Sequence, residues 1–146
     1  MTIELVRDIK VSDEFPPVID SIKATLQINP TVYFTYGDVL HNPYKLPLGD
    51  DIIAHEKIHM KQQTEMKPEL WWGKYLREPK FRADQEAIAY AAQYRWFCNN
   101  DIFKNDRERR HNFLSGLART LSGPLYGNCV SFSWSYDKIK NYSGVR

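Results

Sequence analysis

Apolar positions alternate only near the start of this chain and recur at helical spacing along most of the rest. Ile3, Leu5, Val6 and Ile9 suggest a short opening strand. Val18, Ile22, Thr25 and Leu26 then recur three and four apart and predict a helix. Pro16 and Pro17 fit its first turn, with Ser12 or Asp13 ahead as a cap, and it ends before Asn29-Pro30. Residues 31–36 are β-branched and aromatic and read as a strand. Gly37-Asp38 is a turn signal, so residues 39–41 return as a second strand. Residues 52–66 predict a helix capped by Asp50 or Asp51 and stopped at Lys67-Pro68. A short helix over 69–76 carries Trp71, Trp72 and Tyr75, and Glu78-Pro79 breaks it. Residues 81–97 are rich in helix formers, Ala83, Ala87, Ala89, Ala91 and Ala92 among them, and Asn99-Asn100-Asp101 closes that helix. An amphipathic helix over 107–121 turns Phe113, Leu114, Leu117 and Leu121 inward and stops at Ser122-Gly123-Pro124. Tyr126-Gly127-Asn128 is a loop, and a small helix follows at 136–140. The order predicts an α+β fold, with a small N-terminal antiparallel or mixed sheet followed by packed helices.

No internal repeat, low-complexity run or linker interrupts the pattern, so residues 1–146 read as one domain. With 42% apolar and 26% charged residues, the composition is that of a globular chain able to bury its own core. The formal charge of +2 is too small to imply a nucleic-acid partner. Cys98 and Cys129 lie in no C-x-x-C motif and read as buried free thiols of a reducing compartment. Residues 1–10 alternate charge without a long apolar run, so no signal peptide is expected there. No apolar run is long enough to span a membrane, and the expected location is cytoplasmic.

His55-Glu56-Lys57-Ile58-His59 falls inside the predicted 52–66 helix and is an H-E-x-x-H motif. Imidazoles four residues apart share one helix face and can close on a single Zn2+. Glu56 points roughly 100° around the helix, beside the metal's open position. A carboxylate there can take a proton from water. The competing reading is a charged surface helix that spells the motif by accident.

Catalytic zinc sites use three protein ligands and keep one position open. His41 and His111 sit in no ligand motif, and residues 62–66 exclude the longer H-E-x-x-H-x-x-G-x-x-H pattern. A carboxylate from a second helix is therefore the expected third ligand. Glu86 is the choice, because the alanines around it let two helices approach closely. Asp84 is the alternative, pointing about 200° away on the same helix. Glu65, Glu69 and Glu78 are too close in sequence or lie beside a break. A solvated helix carboxylate is the plain alternative for Glu86.

To the motif the chain adds Gln62-Gln63, Trp71-Trp72, Tyr75-Leu76, Phe81-Arg82 and Gln85-Glu86-x-x-Ala89-Tyr90. With these it resembles the gluzincin-type metallopeptidases, and more closely small H-E-x-x-H proteins of tailed phages and prophages. The likeness covers about residues 12–130, including the stretches 34–38 and 124–128. In that group the second helix commonly reads E-x-E-A-Y. Glu86, Ala89 and Tyr90 match it, and Ile88 replaces the second glutamate. The resemblance implies a zincin-like fold and Zn2+ on His55, His59 and Glu86. It also implies Glu56 as general base in hydrolysis of a peptide or protein substrate, within a bacterial host's cytoplasm if phage-encoded.

Tyr90 and Tyr126 are candidate stabilisers of a tetrahedral oxyanion, Tyr90 because it shares a helix face with Glu86. The plainer reading of each is a tyrosine that packs in the core or behind the site. Arg82 and His111 are weaker candidates for the same role. Trp71 and Trp72 could floor a groove, but adjacent helix residues cannot share one face, so at least one should be core. The 31–36 strand reads as an edge that pairs with an extended peptide or as an internal strand. The mixed charge run at 104–110 reads as solvated loop and helix start. The rival function is a non-catalytic phage or host-interaction protein that keeps zinc as a staple; a degenerate, metal-free site is a third.

Overall fold

The opening apolar run folds as a hairpin. Arg7 and Asp8 take positive φ, 47° and 69°, and turn β1 (Ile3–Val6) back onto β2 (Ile9–Ser12). Positive φ at both central positions matches the twist of the flanking strands. Neither residue is a glycine or asparagine, which is why the sequence reads as a single strand. The computed structural model of the chain describes residues 3–100 and 105–146.

β3 (Phe34–Tyr36) and β4 (Val39–His41) form a second hairpin, with Tyr36 opposite Val39. Gly37 supplies the turn's positive φ of 63°. β4 pairs in parallel with β2, so the sheet is mixed, in the order β1-β2-β4-β3. A parallel pair needs a crossover, and α1 (Ile19–Thr25) lies within it. α1 begins later than expected, because the chain at Pro16 forms a turn closed by the Ile19 amide at 3.1 Å. Ser12, expected as a cap, ends β2 and accepts from the Glu14 amide at 3.1 Å instead. The 31–36 strand shrinks to three residues. The Asn29 side chain accepts from the Thr31 amide at 3.0 Å and turns the backbone away first.

Helices fill the rest: α2 (Asp50–Met66), α3 (Pro68–Arg77), α4 (Pro79–Asn99), α5 (Arg107–Leu121) and α6 (Phe132–Ser143), with a 3₁₀ turn at Pro124–Tyr126 before the last. Pro68, Pro79 and Pro124 each open an element, where a missing amide hydrogen costs nothing. Gly49, not Asp50 or Asp51, precedes α2, and both aspartates sit in its first turn. α6 is longer than expected because Ser131 caps it through the Trp134 amide and Gly144 ends it at φ 69°. Asp101 and Lys104 lie outside the described residues. The described part of the charge run is the exposed start of α5. Cys98 is a buried free thiol, and Cys129 is a half-buried one.

α4 is central: α2, α3, α5 and α6 all pack on it. Ala83, Ala87, Ala89 and Ala91 are fully buried along it, and their small side chains permit that crowding. Ile22, Phe34, Trp71, Leu114, Leu121 and Ile139 belong to the main core. A smaller cluster of Ile9, Val11, Leu40 and Ile53 joins the sheet to α2. The buried face of α2 is otherwise polar, comprising His55, Glu56, His59 and Gln63. No described helix is long and apolar enough to cross a membrane. Ala89 lies three residues from Glu86 on the same face of α4, so Ala89→Leu should overpack it. A loss of about 1–3 kcal/mol is expected, read from the urea midpoint; an unchanged midpoint would show that the helices do not meet tightly there.

Candidate metal centre

α2 and α4 bring three ligand atoms together. Glu86 Oε1 lies 3.1 Å from His55 Nε2 and 3.1 Å from His59 Nε2, and the two nitrogens are 3.2 Å apart. Tetrahedral zinc with bonds of about 2.0–2.1 Å places neighbouring donors about 3.3 Å apart. The triangle therefore has the size of one face of such a tetrahedron, and its two-imidazole, one-carboxylate chemistry suits zinc. His55, Glu56, His59 and Glu86 are only 6, 6, 5 and 4% exposed. The same atoms also form ion pairs between Glu86 and each imidazole, so the cluster could hold a metal without identifying one.

Two glutamines orient the imidazoles. Gln93 Nε2 donates to Asp51 Oδ2 at 2.9 Å, and its Oε1 lies 3.1 Å from His55 Nδ1. Gln62 Nε2 donates to the Gln85 carbonyl at 3.1 Å, and its Oε1 lies 2.8 Å from His59 Nδ1. A carboxylate and a carbonyl can only accept, so each amide nitrogen must face outward and each amide oxygen must face a ring. Both Nδ1 atoms therefore carry hydrogen and donate. That leaves both Nε2 atoms to face the metal position.

The remaining carboxylate oxygens are held as well. Tyr75 Oη donates to Glu86 Oε2 at 2.6 Å, and Thr35 Oγ1 donates to Glu56 Oε2 at 2.6 Å. Glu56 is thus tied to β3 rather than to the ligand triangle. Asp84 faces elsewhere, accepting from Tyr142 Oη near the surface. Tyr90 packs edge-on against His55 with ring centroids 4.4 Å apart, and its hydroxyl is 2.8 Å from that of Tyr126. Arg82 is spent on the carbonyls of Tyr75, Leu76 and Tyr126. His111 pairs with Tyr136 Oη and His41 with the Glu14 carbonyl, so neither joins the site. Trp71 and Trp72 are both core.

Sequence reasoning gave no role at the site to Thr35, Gln62, Tyr75, Gln93 or Asp51. Spacing held a signal for three of them. Asp51 is four residues before His55, Gln62 three after His59, and Gln93 seven after Glu86, each on the ligand's own face. Thr35 and Tyr75 reach the site from separate elements and carry no such signal.

Burial opposes charge on His59, but Glu86, aided by Glu56 and Gln62, outweighs it and lifts the imidazole to about 9. Burial likewise opposes charge on Glu86, yet the two histidines hold its carboxyl well below the usual range. Burial, then the Glu86 charge, raises the hydroxyls of Tyr75, Tyr90 and Tyr126, so all three stay protonated. Two cavities adjoin the triad. One, of about 60 Å³, reaches toward α1. The other, of about 310 Å³, reaches toward α5. His55, Glu56 and Tyr126 line both. No family model, curated protein or solved structure matches the chain.

Two outcomes follow from this geometry. Gln93→Leu and Gln62→Leu should each weaken zinc binding about 10- to 100-fold, measured by chelator competition, with circular dichroism unchanged; affinity equal to the parent's would remove the amides from the site. Proton linkage gives the second. His59 is raised, so in metal-free protein its pairing stabilises fully below the ordinary 6.5 and is lost as pH climbs through about 9. Glu86 is depressed, so its share is lost only on acidification. Zinc must displace the His59 proton, and its affinity should rise about tenfold per unit from pH 7 to 9, then level off. A flat profile across that window would contradict the assignment.

Proposed function

We propose that this protein is a zinc-dependent peptidase of gluzincin type. The observation that carries the reading is the convergence of His55, His59 and Glu86 from two helices on one triangle, with Glu56 beside it and free of it. His55, His59 and Glu86 hold the metal. Zinc there would supply Lewis acidity, acidifying water to a pKa of about 7 and polarising a scissile carbonyl. Glu56 takes the proton of the attacking water and returns it to the leaving amine. Thr35 fixes one Glu56 oxygen and leaves the other for that transfer. The Tyr90–Tyr126 hydroxyl pair is the proposed donor to a developing oxyanion, and Tyr126 lines both cavities.

A zincin-like arrangement is part of the same proposal, and the edge position of β3 beside the motif helix supports it. That edge is partly closed. The Thr35 carbonyl accepts from Gln63 Nε2 at 2.8 Å and Trp72 Nε1 at 3.0 Å, so an added peptide strand would pair upstream of it. The deep burial of the triad favours a second reading, a zinc staple in a non-catalytic phage or host-interaction protein. Structural zinc sites use four protein ligands, and among the described residues the cluster offers three.

Metal analysis of protein purified without added zinc comes first. Glu56→Gln should then keep the metal and cut peptide hydrolysis by about 10²- to 10⁴-fold. Equal rates for parent and variant, or a fourth side chain on the metal, would refute the peptidase reading.

A further inference from the structure

We propose that residues 27–33, between α1 and β3, form a hinged lid over the metal centre, and that the Tyr33 hydroxyl is its latch. The centre is closed in. His55, Glu56, His59 and Glu86 are between 4 and 6% exposed. The cavity toward α1 has room for only a few water molecules. Val32 and Tyr33 of the segment line both adjoining cavities, so lifting it would open both at once. A bare metal ion needs a route to the triad as much as a substrate does, so the lid stands apart from the peptidase reading.

The ends of the segment are fixed and its middle is not. Leu26 and Phe34 are buried, and the Leu26 amide donates to the Ile22 carbonyl at 2.8 Å. Between them Gln27, Asn29, Pro30 and Thr31 are exposed. Among the described residues, no backbone–backbone hydrogen bond ties residues 27–33 to another element. The bond from the Thr31 amide to the Asn29 side chain is internal to the segment. Ile28 and Val32 are half-buried against the main core, and Tyr33 against the smaller cluster. A segment with an untied backbone and few buried contacts lies at the low end of local stability. It also has space to move into. Gln27, Ile28 and Asn29 line two further cavities on the outer side, each of about 510 Å³.

One polar contact holds the segment down. The Tyr33 hydroxyl donates to the Pro47 carbonyl, in the loop between β4 and α2. That loop is firmly tied. Asn42 Nδ2 donates to the Leu46 carbonyl and Asn42 Oδ1 accepts from the Leu46 amide, both at 2.9 Å. Arg7 donates to the Leu48 carbonyl at 2.6 Å and pairs with Asp50 at 2.9 Å. An untied segment is thus clipped to an anchored loop through one hydroxyl. Burial, then the charges of Glu56 and Asp51, raises that hydroxyl, so it stays protonated and donating.

The metal-free protein is treated with a broad-specificity protease, and nicking within 27–33 is followed by mass spectrometry. Tyr33→Phe keeps the ring and removes only the latch. Nicking there should run about 2- to 10-fold faster in this variant, the worth of one hydrogen bond. Tyr44→Phe, the same change on the wall of an outer cavity, should leave the rate unchanged. Passage of zinc is the second measurement. Loading, and release to excess chelator, should both quicken in Tyr33→Phe by that same factor, with Kd and circular dichroism unchanged. An easier gate speeds both directions alike, whereas a damaged centre changes the affinity. No nick within 27–33, or equal nicking in parent and Tyr33→Phe, overturns the lid. Faster nicking with unchanged zinc rates overturns its role as a gate. A protein that takes up no zinc loses the metal centre and the peptidase reading with it, and nicking alone then decides the lid. A zinc-loaded protein that cleaves no peptide removes the peptidase reading and leaves the lid standing.

Discussion

Four ionisable side chains, His55, Glu56, His59 and Glu86, are buried between α2 and α4, and the surrounding structure answers that constraint. A buried charge is costly unless it is paired and its remaining lone pairs are met. Here they are met: no buried side-chain nitrogen or oxygen among the described residues lacks a partner. The partners come from β3, α2, α3 and α4, so the sheet and three helices are joined through this polar centre. This also explains why α2 lacks an apolar stripe. Its inward face is built for the cluster, and hydrocarbon packing is left mostly to α3, α4 and α5.

The packing of α4 follows from the same demand. Donor atoms on two helices can lie 3.1 Å apart only if the helix backbones come close, and the buried alanines of α4 make that possible. Arg82 works at the next level out. Its guanidinium joins the end of α3 to the 3₁₀ turn through three carbonyls, and so ties down Tyr75, which holds Glu86, and Tyr126, which meets Tyr90. Gly127 follows from that arrangement. Its φ is 87°, and a Cβ there would meet Arg82 Nη2 at 3.2 Å. The loop after Tyr126 thus needs a residue with no side chain to keep the guanidinium in place.

Part of this was legible in the sequence because it is local. The spacing of His55, Glu56 and His59 carries its own geometry on a helix, and the alanines around Glu86 mark a helix meant for close approach. The helices from α2 onward fall within a few residues of their expected places. Prolines and caps punctuate them clearly, except for α6, whose Ser131 cap lies upstream of the apolar positions. The first 41 residues were less legible. Arg7-Asp8 turns a hairpin without a glycine, and the Asn29 side chain shortens the following strand. Thr35 was read as part of a strand, correctly, but its contact with Glu56 depends on how that strand meets α2, which no periodicity encodes.

The polar shell also has a charge logic. On the Nδ1 side both imidazoles are held by amides, not carboxylates, and the one acidic residue there, Asp51, stands a residue further out behind Gln93. With two carboxylates at the centre and neutral imidazoles, a bound dication brings the formal charge to zero: +2 from the metal, −1 from Glu86 and −1 from Glu56. Carboxylates in place of Gln62 and Gln93 would leave two further negative charges with little solvent to offset them. The amides fix the rings without disturbing that balance. They also leave Glu56 and Glu86 as the only carboxylates lining the adjoining cavities among the described residues, so a dication at the triad would be balanced from within the site and would need no charge from the cavity walls.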